Sequence, residues 1–551
     1  KLQVDRGSEL TVRYRDPADD FGNATNHTAN SFYGMTVING GSLAGSTNWN
    51  PAGSPYLLTG DVTVDQSDTL VIEAGTEVRF IPIKDDLSSG EDANRIELRI
   101  AGRLEVQGTA SDSVLFRSNG QVPANGDWYG LVSYGSVGTV HISYASINHY
   151  TNGLRSSGGS TSDSTHIHHS RFFAGGNALS FEYDYRKLIF TYNELNDCGV
   201  HTNSSFNNYL AIDYNLIKSK DNTLDVFYLT IENYNAHAIH SLSNNVFDKG
   251  YISIQSQISG SNGTKQLNLN NNVFKKGGSG ILISYISNST GDKNNFAVNI
   301  KNNQIQGAQS GDTYLGEGIR IQYVEGYNNY YSGVVFNISN NIIKASRGIK
   351  VNSAPLSDAT ITNNTIDSTQ EESIWLTRVG GRIENNTLSN CGRYNAIYLN
   401  SDFNSPAIDT IRYNTITGSS SYGNSTSRGA ININGHTQAI INYNNIYGNK
   451  SYDIINNVAS TVRSQLDAKY NYWGDSTTAE ILNGNNPKNI SKFYDQYDDN
   501  NLGFVNYGGF LDTAYPAGVP SAQTITGTVS LVDRLGDGVL SYQSGDSLYV
   551  L

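Results

Sequence analysis

Long apolar runs are missing from this chain. No stretch of about 18 consecutive apolar residues occurs, so no helix is expected to span a membrane. Charge is sparse, at 16% of residues, and its balance is acidic, with a formal net charge of −13. The lack of a basic stripe excludes nucleic acid as a partner and suits a protein soluble outside the cell. Apolar residues are also few, at 37%, which is low for a compact globule of 551 residues. A solenoid, whose core is narrow and whose surface is large, needs fewer. Cysteine is limited to two residues and proline to ten. So few cysteines do not by themselves assign a compartment. The chain begins Lys1-Leu2-Gln3 without Met or signal peptide, which reads as a processed secreted product.

What the chain has in quantity is a repeated phrase between Tyr144 and Gly474. Two polar residues, often Asn-Asn or Tyr-Asn, are followed by any residue and then a large apolar one. The second polar residue falls at Ala145, Ser170, Asn193, Asn215, Asn245, Asn272, Asn303, Asn341, Asn364, Asn386, Asn414, Asn444 and Asn471. Two places later and three places earlier the residue is always apolar, for example Ile305 and Ile300 around Asn303. Steps of 22 to 38 residues indicate a repeat architecture, and the alternation inside each step is that of strands. Such short steps hold two or three strands and no helix. Leu does not dominate fixed positions, and most steps are shorter than a propeller blade. The expectation is therefore an all-β chain, a parallel β-helix of about 16 coils spaced like neighbouring strands. Its hand is expected to be right, as for parallel crossovers generally. Asn suits the corner as a residue that tolerates left-handed backbone, and stacked amides can bond along the axis.

The cysteines test this register. Cys198 and Cys391 each lie five places after a column residue, Asn193 and Asn386, and the two are separated by seven coils. That separation is roughly 34 Å along the axis, against about 7 Å between Cα atoms for a disulfide. Two separate, buried thiols are predicted.

Three stretches near the start carry a resemblance. They are Gly60-Asp61-Val62-Thr63-Val64 with Leu70-Val71-Ile72-Glu73-Ala74-Gly75-Thr76, then Gly102-Arg103-Leu104-Glu105-Val106-Gln107-Gly108-Thr109, then Gly126-Asp127-Trp128-Tyr129-Gly130. Near the other end stands Tyr470-Asn471-Tyr472-Trp473-Gly474. Together they resemble secreted bacterial and archaeal surface proteins of the pectin-lyase-like superfamily, which are right-handed parallel β-helices. Ala74 departs from the Pro usual there. The resemblance implies an extracellular, cell-surface or secreted setting. It says little about activity, because this fold hosts lyases, hydrolases, epimerases, adhesins and spacers. Trp473 falls in the apolar column and is expected to plug the last coil.

The expected division is an N-terminal segment or cap at 1–53, the β-helix with its C-terminal cap at 54–515, and a linker with the first strands of a following domain at 516–551. Residues 524–551 resemble the start of an immunoglobulin-like β-sandwich, in which Asp533 and Asp537 are candidates for calcium. Two orphan strands there, and the open edges of a solenoid, suggest self-assembly or contact with neighbouring domains of a longer surface polypeptide.

The search for chemistry yields one stripe and one cluster. A further strand in each coil alternates inward Ile, Leu and Val with outward residues. The outward column reads Arg320, Lys350, Trp375, Tyr398, Asn432, with Gln322, Asn352, Thr377, Asn400, Asn434 beside it. Aromatics for sugar rings, amides for hydroxyls and cations for a carboxylate or sulfate make this a candidate glycan-binding surface. His141, His166 and His168, with His169, are candidates for a surface metal site, weighed against plain exposed imidazoles. No recurring acid pair is visible at one angular position, Glu371-Glu372 and Asp498-Asp499 are expected in loops, and no cofactor is expected. The Asp-Pro-His element of alginate epimerases and the aspartate motifs of pectin hydrolases are missing. The functional expectation is a non-catalytic extracellular rod for adhesion, spacing or filament assembly. The alternative is a polysaccharide lyase or epimerase acting on an acidic glycan.

Overall fold

The computed structural model describes residues 34–521 apart from short internal stretches, the longest being 326–332 and 420–426. Residues 1–33 of the expected cap, residues 524–551 and the calcium candidates Asp533 and Asp537 lie outside the described residues.

Each coil of the chain contributes one strand to each of three parallel sheets, and the whole is a right-handed parallel β-helix. The first sheet has 16 strands, from Thr36–Ile38 to Asn445–Tyr447. The second runs from Gly41–Ser42 to Phe493–Tyr494 and the third from Thr47–Trp49 to Phe504–Asn506. A coil passes from the third sheet around a tight corner to the first, then by loops to the second and back to the third. Ile300, Ile305 and their counterparts in every coil point into a continuous apolar core.

The corner works differently from the sequence expectation. The left-handed residue is the one before the column Asn: Asn271, Asn302, Asn340, Asn363 and Asn385 have φ between 56° and 58°. Tyr144, His169, Tyr192, Tyr214, Tyr413, Tyr443 and Tyr470 hold the same place with φ of 48° to 60°. This reversal swings the next side chain inside, where the column Asn is buried. There an amide meets an open backbone N–H on one side and an open carbonyl on the other. Asn272 N–H donates to Asn303 Oδ1 at 2.8 Å, and Asn303 N–H to Asn341 Oδ1 at 2.9 Å. Asn303 Nδ2 donates to Leu269 O at 2.8 Å and to Asn341 Oδ1 at 2.9 Å. The pattern continues to Asn471, and Ser170 enters it with a hydroxyl. The buried backbone N–H of each column residue from Ala145 to Asn444 thus finds an acceptor in the next coil.

Cys198 and Cys391 are free and buried. Trp473 is buried at the end of the stack, edge-on to Phe493 at 4.7 Å. Two boundaries differ from those read in the sequence. The solenoid begins before residue 54: Thr36–Ile38, Gly41–Ser42 and Thr47–Trp49 already pair with the following coil. At the other end residues 516–521 are packed on the cap, with Asp512 N–H donating to Val519 O at 3.2 Å and Ser521 N–H to Phe510 O at 2.8 Å. An α-helix, Gly474–Leu482, stands in the cap and was not expected.

Candidate functional site

The second sheet brings the outward column together in direct register. Arg320 pairs with Lys350, Lys350 with Trp375, Trp375 with Tyr398 and Tyr398 with Asn432. Gln322, Asn352, Thr377, Asn400 and Asn434 run beside them in the same register. Glycine is the second residue of two of these strands, at Gly318 and Gly348, because coils approach closely there: a Cβ on Gly348 would lie 2.3 Å from Ser373 O.

The stripe is partly enclosed. Trp375 meets Tyr398 edge-on, with ring centroids 5.4 Å apart. Lys350 Nζ lies 4.3 Å and the Arg347 guanidinium 4.6 Å from the Trp375 ring centre, both cation–π contacts. Trp375 Nε1 donates to Thr377 Oγ1 at 2.6 Å. The side-chain amides of Gln322, Asn352 and Asn400 make no hydrogen bond among the described residues. Asn432 does not share this availability. It is buried, donates to Ser427 O at 3.2 Å and accepts from Asn434 Nδ2 at 2.6 Å. Its outward place in the register is covered, so it is removed from the accessible stripe.

Arg347, at the mouth of its strand, organises the charges and was missed in the sequence. Its NH1 is 2.9 Å from Glu317 and its Nε 3.1 Å from Glu372, and it also pairs with Glu371. Arg320 is held by Glu317 at 2.7 Å. Lys350 has no carboxylate partner among the described residues. Burial, with Arg347 next, pushes its ammonium below the usual lysine range. Burial raises Glu372, and burial and then Glu372 raise the Tyr398 phenol.

The histidines lie on the outer face of the third sheet. Glu105, His141 and His166 follow one another in register. His141 Nδ1 is 3.1 Å from Glu105 Oε1, and the His141 and His166 rings are 6.2 Å apart. His168 Nδ1 approaches His169 Nδ1 to 2.9 Å, and His169 stacks between Tyr144 and Tyr192. Burial, followed by the neighbouring histidines and, for His166, Lys187, holds His166 and His168 below the ordinary imidazole range. Among the described residues no group of three or more His, Cys, Asp or Glu side chains is arranged to hold a metal ion.

Acidic side chains do converge, contrary to the sequence expectation: Asp61 and Glu97 immediately precede Val62 and Leu98, which pair in register on neighbouring coils, and a loop brings Asp85 to them. Asp61, Asp85 and Glu97 are all buried near the start of the solenoid. Asp61 Oδ1 accepts from Glu97 N–H at 2.7 Å, and Glu97 Oε1 accepts from the backbone of Glu91 and Asp92 at 2.6 and 2.9 Å. Asp61 Oδ2 and Glu97 Oε2 face one another across Gly90, where a Cβ would lie 2.5 Å from each. Arg99, 3.2 Å from Glu97, supplies the nearby cation. Burial, outweighing the backbone hydrogen bonds, raises Glu97 to about 7. The folded state then binds a proton that the unfolded state, with a value of 4.5, releases. Stability contributed by this group is present below about pH 4.5 and lost as pH rises through 7. Glu97→Gln is expected to remove a slope worth up to about 3 kcal/mol between those limits. Melting temperatures of wild type and variant across pH 4.5 to 8 check it; parallel profiles would refute it.

Among the described residues no helix is long and apolar enough to cross a membrane. No curated protein and no solved structure gives a significant match to the chain. Residues 42–168 match the pectate-lyase like beta helix domain, and this first part of the solenoid, about a quarter of its length, is similar to that family.

Proposed function

We propose that this protein is a non-catalytic extracellular rod that binds glycan along the second sheet, at Arg320, Lys350, Trp375, Tyr398 and the amides of Gln322, Asn352 and Asn400. The observation that carries this reading is the aligned stripe, in which aromatic rings, one unpaired ammonium and unused amides follow one another from coil to coil. The ladder of buried Asn from Asn193 to Asn471 supports the rod, since it fixes each coil to the next over roughly 48 Å. The similarity of residues 42–168 to a pectate-lyase like domain supports a polysaccharide-related setting. With cations over Trp375, a sugar ring is expected against Tyr398 and an anionic substituent at Lys350. Adhesion, spacing and assembly, with further copies or flanking domains, are uses of such a rod.

A glycan array on wild type and on Trp375→Ala with Tyr398→Ala tests the stripe. Binding of the double variant is expected to be weaker by at least about tenfold, or 1.4 kcal/mol. Equal binding by both would reduce the stripe to sheet surface. One observation favours the alternative of a lyase or epimerase on an acidic glycan: Lys350 lacks a carboxylate partner and its proton is loosened by burial, as suits a general base. Steady release of unsaturated products from uronic-acid polymers, lost in Lys350→Met, would replace the non-catalytic reading.

A further inference from the structure

The C-terminal cap holds a cavity of about 270 Å³, lined by Gln465, Asn486, Tyr497, Phe504, Asn506 and Tyr507 among others. It lies where the last strand of the third sheet, Phe504–Asn506, pairs with Gln465–Asp467. The glycan stripe is on a different sheet and in earlier coils.

Two large aromatics are left in solvent here, Tyr497 at 41% and Phe504 at 38% exposure. Their rings meet edge to face, 5.4 Å apart at 64°, and form two walls of a corner. The walls are fixed from below. Buried Asp495 accepts from Tyr497 N–H at 2.9 Å with one oxygen and from Val505 N–H at 2.8 Å with the other. The opposite wall is fixed as well. Asn486 Nδ2 donates to Ile481 O at 2.8 Å, and Asn486 Oδ1 accepts from Tyr507 Oη at 2.8 Å. The site is therefore preformed, with little ordering left for a ligand to impose.

The polar groups on this lining fall into two sets. Asn486 and the Tyr507 hydroxyl are committed to the scaffold. The Gln465 amide, the Asn506 Nδ2 and the Tyr497 hydroxyl make no hydrogen bond among the described residues. No lining side chain carries a charge. The volume is at the small end of ligand cavities, which run from about 300 to 1,000 Å³, so it takes one ring and not a chain.

We propose that this cavity binds a single neutral sugar ring, with its C–H face on Phe504 and Tyr497 and its hydroxyls on Gln465 and Asn506. Aromatic walls with unused amides and no charge fit that chemistry, and an acidic sugar would find no cation here. The inference does not depend on the stripe of the second sheet.

Saturation-transfer NMR on the full chain, with glucose, galactose, mannose, N-acetylglucosamine and glucuronate as probes, tests it. At least one neutral sugar is expected to receive saturation at its ring C–H protons. Phe504→Ala and Gln465→Ala, each made in a Trp375→Ala and Tyr398→Ala background so that the stripe contributes no binding, are expected to weaken the remaining binding by at least about fivefold. Both cap positions are solvent-facing, and circular dichroism melting verifies that each variant is folded; if Phe504→Ala is not, Tyr497→Ala takes its place. No signal from any neutral sugar overturns the proposal. So does a signal that survives the cap variants, one that disappears in the Trp375→Ala and Tyr398→Ala background, or glucuronate binding in that background as tightly as the neutral sugars.

Discussion

Asn364→Ala is expected to destabilise the central solenoid by about 3–5 kcal/mol, although it removes only one small amide. Asn364 Oδ1 accepts from the backbone N–H of Asn341 at 3.0 Å and from its Nδ2 at 2.9 Å. Its own Nδ2 donates to Ile338 O and to Asn386 Oδ1, both at 3.0 Å. Alanine cancels all four and leaves the buried N–H of Asn341 without an acceptor, where water does not reach. Because each coil touches only its neighbours, the damage is expected to be local. Amide hydrogen exchange should accelerate first in the coils of Asn341 and Asn386. Asn364→Asp sharpens the test. At neutral pH its carboxylate keeps the acceptor but faces Ile338 O and Asn386 Oδ1 with no proton to give. It should be at least as harmful as alanine and should recover on acidification, when the carboxyl regains a donor. A loss below about 1 kcal/mol in Asn364→Ala would mean that backbone pairing alone holds the corner.

Arg186→Met is expected to cost a similar amount, about 3–5 kcal/mol, for a different reason. Arg186 and Asp184 are both fully buried. The guanidinium donates to Ser156 Oγ at 2.8 Å and Gly135 O at 2.9 Å, and also to Ser133, so it ties together three coils. Gly159 leaves it room, since a Cβ there would overlap Arg186 Nε at 2.1 Å. Methionine fills part of the volume but takes the cation away from buried Asp184, which also accepts from the Ser156 hydroxyl and from the backbone N–H of residue 186. Arg186→Met combined with Asp184→Asn should therefore be less destabilised than Arg186→Met alone. Chemical denaturation of the two singles and the double checks this; strict additivity would show that the pair does not interact.

The corner was the legible part of this fold. From Tyr144 to Tyr470 it turns on a single left-handed residue in each coil, so the column from Ala145 to Asn471 stays in phase with itself whatever the loops do. The same fixity made the outward column of the second sheet readable from Arg320 to Tyr398. What the column could not show is what lies over it. Asn432 has the right parity but is roofed by Ser427 O. Arg347 escaped notice because it precedes the alternating strand interior and acts through loop carboxylates at Glu371 and Glu372. Asp61 and Glu97 stand in register on neighbouring coils, but these opening coils lack the Asn phrase and are separated by a long loop that also carries Asp85, so spacing carried no signal of them. The opening coil was overlooked because its strands are two or three residues long and its corner lacks the Asn phrase. The helix Gly474–Leu482 was overlooked because GDSTTAEIL is short and mostly polar. The C-terminal cavity depends on Asp495, Asn486 and Phe504, which no repeat brings together.

A corner held to one reversed residue from Tyr144 to Tyr470 and a buried amide that must meet another amide have one joint consequence. The rod can change length only by integers. A loop may gain or lose residues and leave the axis unmoved, but an altered number of turns displaces everything beyond it by about 4.8 Å per turn. The offset between the stripe on the second sheet and the cavity in the cap is thus a count of turns, and the molecule is graduated like a ruler whose marks are its asparagines.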